Sequence, residues 1–294
     1  MASSALSTSA LIIEAHGRHY TARTAGGEVL QARPRGKKSE CVVGDAVQIE
    51  VTGPGEAVIE QVAERRNLLM RAEEHREKRF AANLDVLAYV VASEPPVSDE
   101  LLMRAVAAAR AADIEVWLII GKRDLPGGAD LMQRMKWHAP SFARQFSLSA
   151  STGDGVAQLA AALKGKRTVL AGQSGMGKSS LLNRLVPGLD LAVGEISVAL
   201  SAGKHTTTST RLINLPGGGE IIDSPGFQAF GIAHLSSTEI ERAFPEFEQY
   251  APNCRYYNCR HLDEPACAVR AAADAGEIAA QRYAVFRKLA TAAS

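Results

Sequence analysis

Aromatic residues supply only 5% of this 294-residue chain, and its formal net charge is just +1. So balanced a charge excludes a global field that would draw in nucleic acid or an anionic membrane. No apolar run approaches the roughly 20 residues needed to cross a bilayer. The opening "MASSALSTSA" lacks the basic and long apolar segments of a secretory leader and reads as a short disordered tail. Four cysteines do not make a disulfide scaffold in a chain this long, and three of them cluster. These absences predict a cytoplasmic protein with no membrane partner. What the chain does have is 46% hydrophobic residues, enough for two or three packed domains.

Charge is uneven locally. Six Arg/Lys against one Glu lie between His16 and Lys38, densest in "RPRGKK", a solvated loop or a contact for RNA phosphates. Residues 10–66 read as five short strands ("LIIEAHG", "HYTARTA", "EVLQARP", "AVQIEVT", "AVIEQVA") separated by Gly and Pro, which suits an OB-like barrel. Tyr20 is the one ring in it of the kind that stacks on bases, so nucleic-acid binding is compatible with this segment but not indicated by it. The charged, weakly periodic stretch 64–80 reads as a connector.

From Asn83 the pattern becomes strand–helix alternation, which implies a parallel sheet covered by helices. After Gly231 the alternation stops, leaving a mostly helical tail around a cysteine cluster. The predicted division is 1–70 for the barrel, 71–235 for the α/β domain and 236–294 for the tail.

"GQSGMGKS" fits the phosphate-loop pattern G-x-x-x-x-G-K-[ST], between a predicted strand and a predicted helix. In such a loop, Gly172, Gln173, Ser174, Gly175, Met176 and Gly177 turn backbone N–H groups toward phosphate. Lys178 adds a point charge near the β/γ oxygens, the Ser179 hydroxyl ligates Mg²⁺, and Ser180 follows on the helix. Downstream, "EIIDSPG" places Asp223 to hold the metal through water and Gly226 to sense a γ-phosphate. Between them, "GKHTTTST" offers a threonine to Mg²⁺, either Thr207 or Thr206.

Base selection is the fourth requirement. "GKRD" places Lys122 and Asp124 as in the Asn-Lys-x-Asp signature of guanine sites, whose Asp accepts from the ring N–H and the exocyclic amine. Gly121 stands where Asn belongs. That amide normally contacts the base and ties this turn to the phosphate loop, and its loss costs about 1–2 kcal/mol, roughly tenfold in affinity. "LSAST" matches the base-supporting loop, with Ser149 and Ala150 beneath the guanine. The base-reading elements therefore precede the phosphate elements, a circular permutation of the usual order. It makes the second switch lead almost directly into the tail, so the bound nucleotide, GTP or GDP, could move that tail as a body.

Cys254, Cys259, His261 and Cys267 are spaced C-x4-C-x-H-x5-C, the donor set of a closed structural Zn²⁺ site. Cys41, far upstream, reads as a barrel core residue.

Taken together, "GQSGMGKS", "GKHTTT", "DSPGF" and this zinc spacing resemble the bacterial ribosome small-subunit-dependent GTPase A family, also called YjeQ/YloQ. The likeness covers nearly the whole chain, with "GKRD" the main departure. It implies GTP hydrolysis stimulated by the small ribosomal subunit, as a late checkpoint in that subunit's maturation. It also implies contact with ribosomal RNA through the barrel and zinc units, and a monomer is expected. Phe227 occupies the place where many GTPases carry a water-orienting Gln. The resemblance implies that His205 substitutes for it as the catalytic group. Gly175 stands where cation-activated relatives carry Asn, so the motif does not predict K⁺ dependence. The alternative is an RNA-binding assembly factor whose guanine recognition is weakened or lost.

Overall fold

The computed structural model describes residues 7–36, 41–73, 76–191, 210–223 and 230–292. Five strands at the N-terminus alternate inward and outward side chains and close on themselves: β1 (Ser7–His16), β2 (His19–Thr24), β3 (Val29–Pro34), β4 (Ala46–Gly53) and β5 (Glu56–Val62). The order is β1-β2-β3-β5-β4, with β4 returning to β1 and β3–β5 the parallel pair. Inward residues Ile12, Leu30, Ile49 and Ile59 fill the barrel together with Cys41. Tyr20 is also inside, 4% exposed, so the ring considered for base stacking is a core residue. Its position in the two-residue period of β2 turns it inward.

The stretch 64–80 departs from expectation. It is not an irregular connector but a hairpin of β6 (Leu68–Glu73) and β7 (Arg76–Ala82). Leu69 and Ala81 are completely buried and join the main core, while the abundant charge between them conceals the strand pattern.

The second sheet has the spatial order β10-β9-β8-β11-β13-β12. Its strands are β8 (Val86–Val91), β9 (Glu115–Ile120), β10 (Arg144–Ser147), β11 (Arg167–Ala171), β12 (Thr210–Asn214) and β13 (Glu220–Asp223). All neighbours are parallel except β12, which runs antiparallel to β13. Every residue of β8 is buried, as a strand covered on both faces must be. The covering helices include α1 (Asp99–Ala111), α2 (Gly128–Met135), α3 (Val156–Leu163) and α4 (Lys178–Leu185). The Ser98 side chain accepts from Leu101 N and caps α1, as its position before an apolar run predicts.

β11 is fourth of these six along the chain yet lies between β8 and β13 near the middle of the sheet. The permutation expected from motif order is therefore visible in the topology. The carboxyl ends of the parallel strands β8, β9, β10, β11 and β13 lie along one edge, where open α/β sheets bind ligands.

Barrel and sheet are stitched together. A bulge after Ile12 bends β1, whose far end pairs with β12 through Glu14↔Arg211 and Ala15↔Thr210. Glu220 of β13 takes Arg23 of the barrel at 3.2 Å and Arg167 of β11 at 2.8 Å. Arg167 also donates to the Gly44 carbonyl at 2.9 Å.

The tail holds α5 (Ser237–Glu241), 3-10 turns at Pro245–Gln249 and Ala251–Asn253, α6 (Ala268–Asp274) and α7 (Ala280–Ala292). Its core is Phe244, Phe247 and Phe286, whose ring centroids lie 4.8–5.4 Å apart. Arg282 of α7 is 2% exposed, an unusual place for a charge. It is matched there by Glu246 at 3.1 Å, His138 Nδ1 at 3.1 Å and the Phe244 ring at 4.7 Å. This network locks the tail against the helices of the sheet.

Candidate functional site

The phosphate loop leaves β11 through Gly172, at φ +138°. A β-carbon there would sit 2.4 Å from the Val90 carbonyl, so only glycine lets β11 pass so close to β8. Gly177, at φ +91°, turns the chain into α4. Gln173 fixes the loop sideways: its Oε1 accepts from Ser98 N at 2.7 Å, just before α1. Ser174 is half-buried, and Ser179 and Ser180 occupy the first turn of α4.

Lys178 folds over this cradle, donating to the carbonyls of Gly172 and Gln173 at 2.7 Å each. Burial pulls its ammonium down to about 8, against the opposing attraction of Asp223. Asp223 closes β13, and burial raises its carboxyl although Arg211 and Lys178 oppose the shift. Lysine and carboxylate thus oppose one another's shifts in a partly dry setting. Phosphate oxygens favour the protonated lysine, so a bound nucleotide raises the Lys178 pKa. GDP affinity should therefore be flat below about pH 8 and fall above it, approaching tenfold per pH unit. Titration of a fluorescent GDP across that range checks this; a flat profile would show that Lys178 carries no such shift.

The base-reading turn stands beside the cradle. Lys122, at φ +54°, donates from Nζ to the Gly175 carbonyl at 2.7 Å and to the Glu94 carbonyl at 2.9 Å. It thereby ties the base side to the phosphate side. Asp124 Oδ2 accepts from Ser151 Oγ at 2.9 Å, and Ser151 Oγ lies 2.9 Å from the buried Ser149 Oγ. The hydroxyls of Ser149 and Ser151 hold the Asp124 carboxyl below its usual range. An open cavity of about 270 Å³ separates this turn from the phosphate loop, lined by Gly121, Lys122, Asp124, Ala150, Met176 and Ser180 among others. Its floor is fixed where Ala92 N donates to Met176 Sδ at 3.2 Å.

Sequence reasoning missed Ser151, which donates to the Asp124 carboxylate, and the Met176 contact. A second serine in "LSAST", within reach of an Asp that needs a donor, was the available signal for the first. His205, Thr206, Thr207, Gly226 and Phe227 lie outside the described residues.

The cysteine cluster is far along the chain, in the tail. Its ligand atoms all lie within 4.8 Å of one another. His261 Nδ1 is 3.5 Å from Cys254 Sγ and 3.4 Å from Cys267 Sγ, and the two sulfurs are 3.9 Å apart. A tetrahedral ion with metal–sulfur bonds of about 2.3 Å needs sulfur separations of about 3.8 Å, so the four residues fit zinc. The groups that surround these four residues fit as well. His261 Nε2 faces Glu241 Oε2 at 3.5 Å, and Ala268 N and Arg270 N donate to the sulfurs of Cys254 and Cys267. Burial alone would lower His261, but Glu241 and Cys267 carry it up to about 9. Burial pushes the Cys259 thiol up to about 12.

With this geometry in hand, comparison with known proteins is specific. Residues 62–233 match the RsgA GTPase family. The chain is 50% identical over 282 residues to the small ribosomal subunit biogenesis GTPase RsgA of Bordetella pertussis, covering 95% of this chain and 94% of that one. The protein of the same description from Burkholderia pseudomallei is 47% identical, covering 96% and 91%. Among solved structures, YjeQ from Thermotoga maritima superposes with a TM-score of 0.77 at 31% identity, over 98% of this chain and 99% of that one. YloQ, described as a circularly permuted GTPase, superposes at 0.70 with 27% identity, over 98% and 95%.

Proposed function

This chain belongs to the RsgA GTPase family, and from that premise we propose that it binds the small ribosomal subunit and hydrolyses GTP as a late maturation checkpoint, with turnover stimulated by the subunit. The observation that carries the reading is that Asp124 lines one cavity together with Met176, Gly177 and Ser180 of the glycine-rich loop, residues from opposite halves of a permuted sheet. In this reading Asp124 takes the N1–H and amine of guanine, supported by Ser149 and Ala150. The loop from Gly172 to Ser180 holds the phosphates, and Lys178 balances their charge. Ser179 and Thr207 or Thr206 hold Mg²⁺, with Asp223 acting through water and Gly226 sensing the γ-phosphate. His205 orients or activates the attacking water.

The units 1–70, 71–235 and 236–294 then divide the labour into RNA contact, nucleotide cycle and zinc-stabilised RNA contact, in a cytoplasmic monomer. Among the described residues no helix is long and apolar enough to cross a membrane, which is compatible with that location. On the zinc loop, Tyr257 is fully exposed beside Tyr256, whose ring lies 5.6 Å from the Arg255 guanidinium. Exposed rings and guanidinium planes of this kind stack on unpaired RNA bases.

The test is GTP turnover with and without purified small subunits, for the native protein and His205→Ala. Stimulation is expected for the native chain and a loss of about a hundredfold in the variant, with GTP binding retained. Absence of stimulation would overturn the checkpoint, and unchanged turnover in the variant would remove His205 from the mechanism. Binding of nucleotide without guanine preference would favour the RNA-binding alternative.

A further inference from the structure

Nothing in the backbone asks for glycine at position 121. Its φ lies outside the left-handed region. A β-carbon there would meet Val91 O at 3.5 Å, Met176 O at 3.6 Å and Val90 Cγ1 at 3.7 Å, all ordinary contacts. The position has room for a side chain, and the room opens on the base cavity, which Gly121, Val90 and Met176 all line.

Guanine's orientation in that cavity follows from its chemistry. Only its N1–H and exocyclic amine form a pair of adjacent donors, and the Asp124 carboxylate, with Ser151 behind it, is the acceptor that suits them. The opposite, five-membered side of the ring, bearing the N7 acceptor, then faces the wall made by Gly121, Val90 and Met176. Three donors on or beside that wall are already engaged. Gly121 N donates to Val91 O at 2.8 Å, Ala92 N to Met176 Sδ, and Lys122 Nζ to two carbonyls of the loops. With no side chain on Gly121, that wall offers N7 space instead of a hydrogen bond.

We propose that this site reads guanine by its N1/amine edge alone, and so accepts guanine nucleotides altered at N7, whether the nitrogen is missing or a small group projects from that position. The proposal rests on the guanine-site reading given above. It also assigns the tie between base and phosphate loops, lost with the missing amide, to Lys122, whose Nζ donates to the Gly175 carbonyl.

Calorimetry on the full chain with GDP, 7-deaza-GDP, 7-methyl-7-deaza-GDP and ADP tests it. The native protein should bind 7-deaza-GDP within about twofold and the 7-methyl compound within about fivefold of GDP. Gly121→Asn should tighten GDP about tenfold, disfavour 7-deaza-GDP by about tenfold relative to GDP, and exclude the methylated compound. Gly121→Ala, which adds volume without a donor, should leave the 7-deaza ratio near one. A native protein that loses tenfold or more on 7-deaza-GDP would have an N7 donor, and the proposal would fall. An Asn variant that binds GDP but still ignores N7 would equally remove Gly121 from that wall. Failure of the guanine reading itself looks different, since ADP would then bind as well as GDP.

Discussion

Asp124→Asn is expected to convert the site from guanine to xanthine. A carboxylate presents two acceptors, which suit the N1–H and amine of guanine. An amide presents one acceptor and one donor, so its N–H₂ would be set against the amine of guanine but would find the 2-oxo group of xanthine. Ser151 can still donate to the side-chain oxygen, at the place where it now meets Asp124 Oδ2 at 2.9 Å, so the amide should keep the carboxylate's orientation. A site built to hydrogen-bond its ligand rejects one that leaves those groups unpaired far more strongly than it rejects a change of bulk. The variant should lose about a hundredfold or more for GDP and gain a comparable factor for XDP, with the phosphate loop untouched. Paired titrations of both nucleotides on both proteins decide it. Retention of GDP within a few fold would mean that another group reads the base. This outcome is independent of the N7 proposal, because the two groups face opposite sides of the ring.

The parts of this site that were legible in the sequence are those in which neighbours along the chain do the chemistry. A phosphate loop needs consecutive N–H groups and a lysine at fixed spacing, so Gly172–Ser179 declares itself. Three cysteines and a histidine within fourteen residues do the same for zinc, and the structure gives them matching separations. The five barrel strands were readable from their alternation, but not the parallel β3–β5 closure, which depends on residues far apart. The place of Tyr20 was not legible from its type, since only its register on β2 puts the ring inside. The hairpin at 68–82 was hidden because few apolar side chains, Leu69, Ala81 and Ala82 among the described residues, are buried in it amid charge. Likewise Arg282 belongs by type to a solvated helix face. Only folding brings Glu246, His138 and Phe244 around it from two other segments. The links that make one site from two halves, Lys122 to Gly175 and Gln173 to Ser98, span more than fifty residues each and leave no local trace.

Zinc removal should have the largest effect on stability, and it should fall on the tail. Cys254, Cys259, His261 and Cys267 lie on a stretch that, between the 3-10 turn at Ala251–Asn253 and α6, contains no helix or strand. Little backbone hydrogen bonding holds that stretch, so a structural ion there supplies about 10–16 kcal/mol of apparent binding energy that is also folding energy. The metal-free donors are poorly matched to neutral pH. His261, at about 9, is protonated, and Cys259, at about 12, is a thiol. Zinc binds the imidazole and the thiolate, so loading must expel at least these two protons. Affinity therefore rises with pH below about 9 and falls as the medium is acidified, by about a hundredfold per pH unit for two released protons. Chelator competition near pH 6.5 and 7.5 should show that slope, with one zinc released per chain. Hydrogen exchange should then report loss of protection over 251–278, with protection of β8, β9 and β11 preserved because those strands are held by pairing with one another and none of the four ligands lies on them. Cys259→Ser should reproduce the effect in part, and GDP affinity should change less than about twofold, since no ligand of the metal lines the base cavity. A tail whose exchange is unaltered by chelation would show that the Phe244–Phe247–Phe286 core and the Arg282 network suffice without the ion.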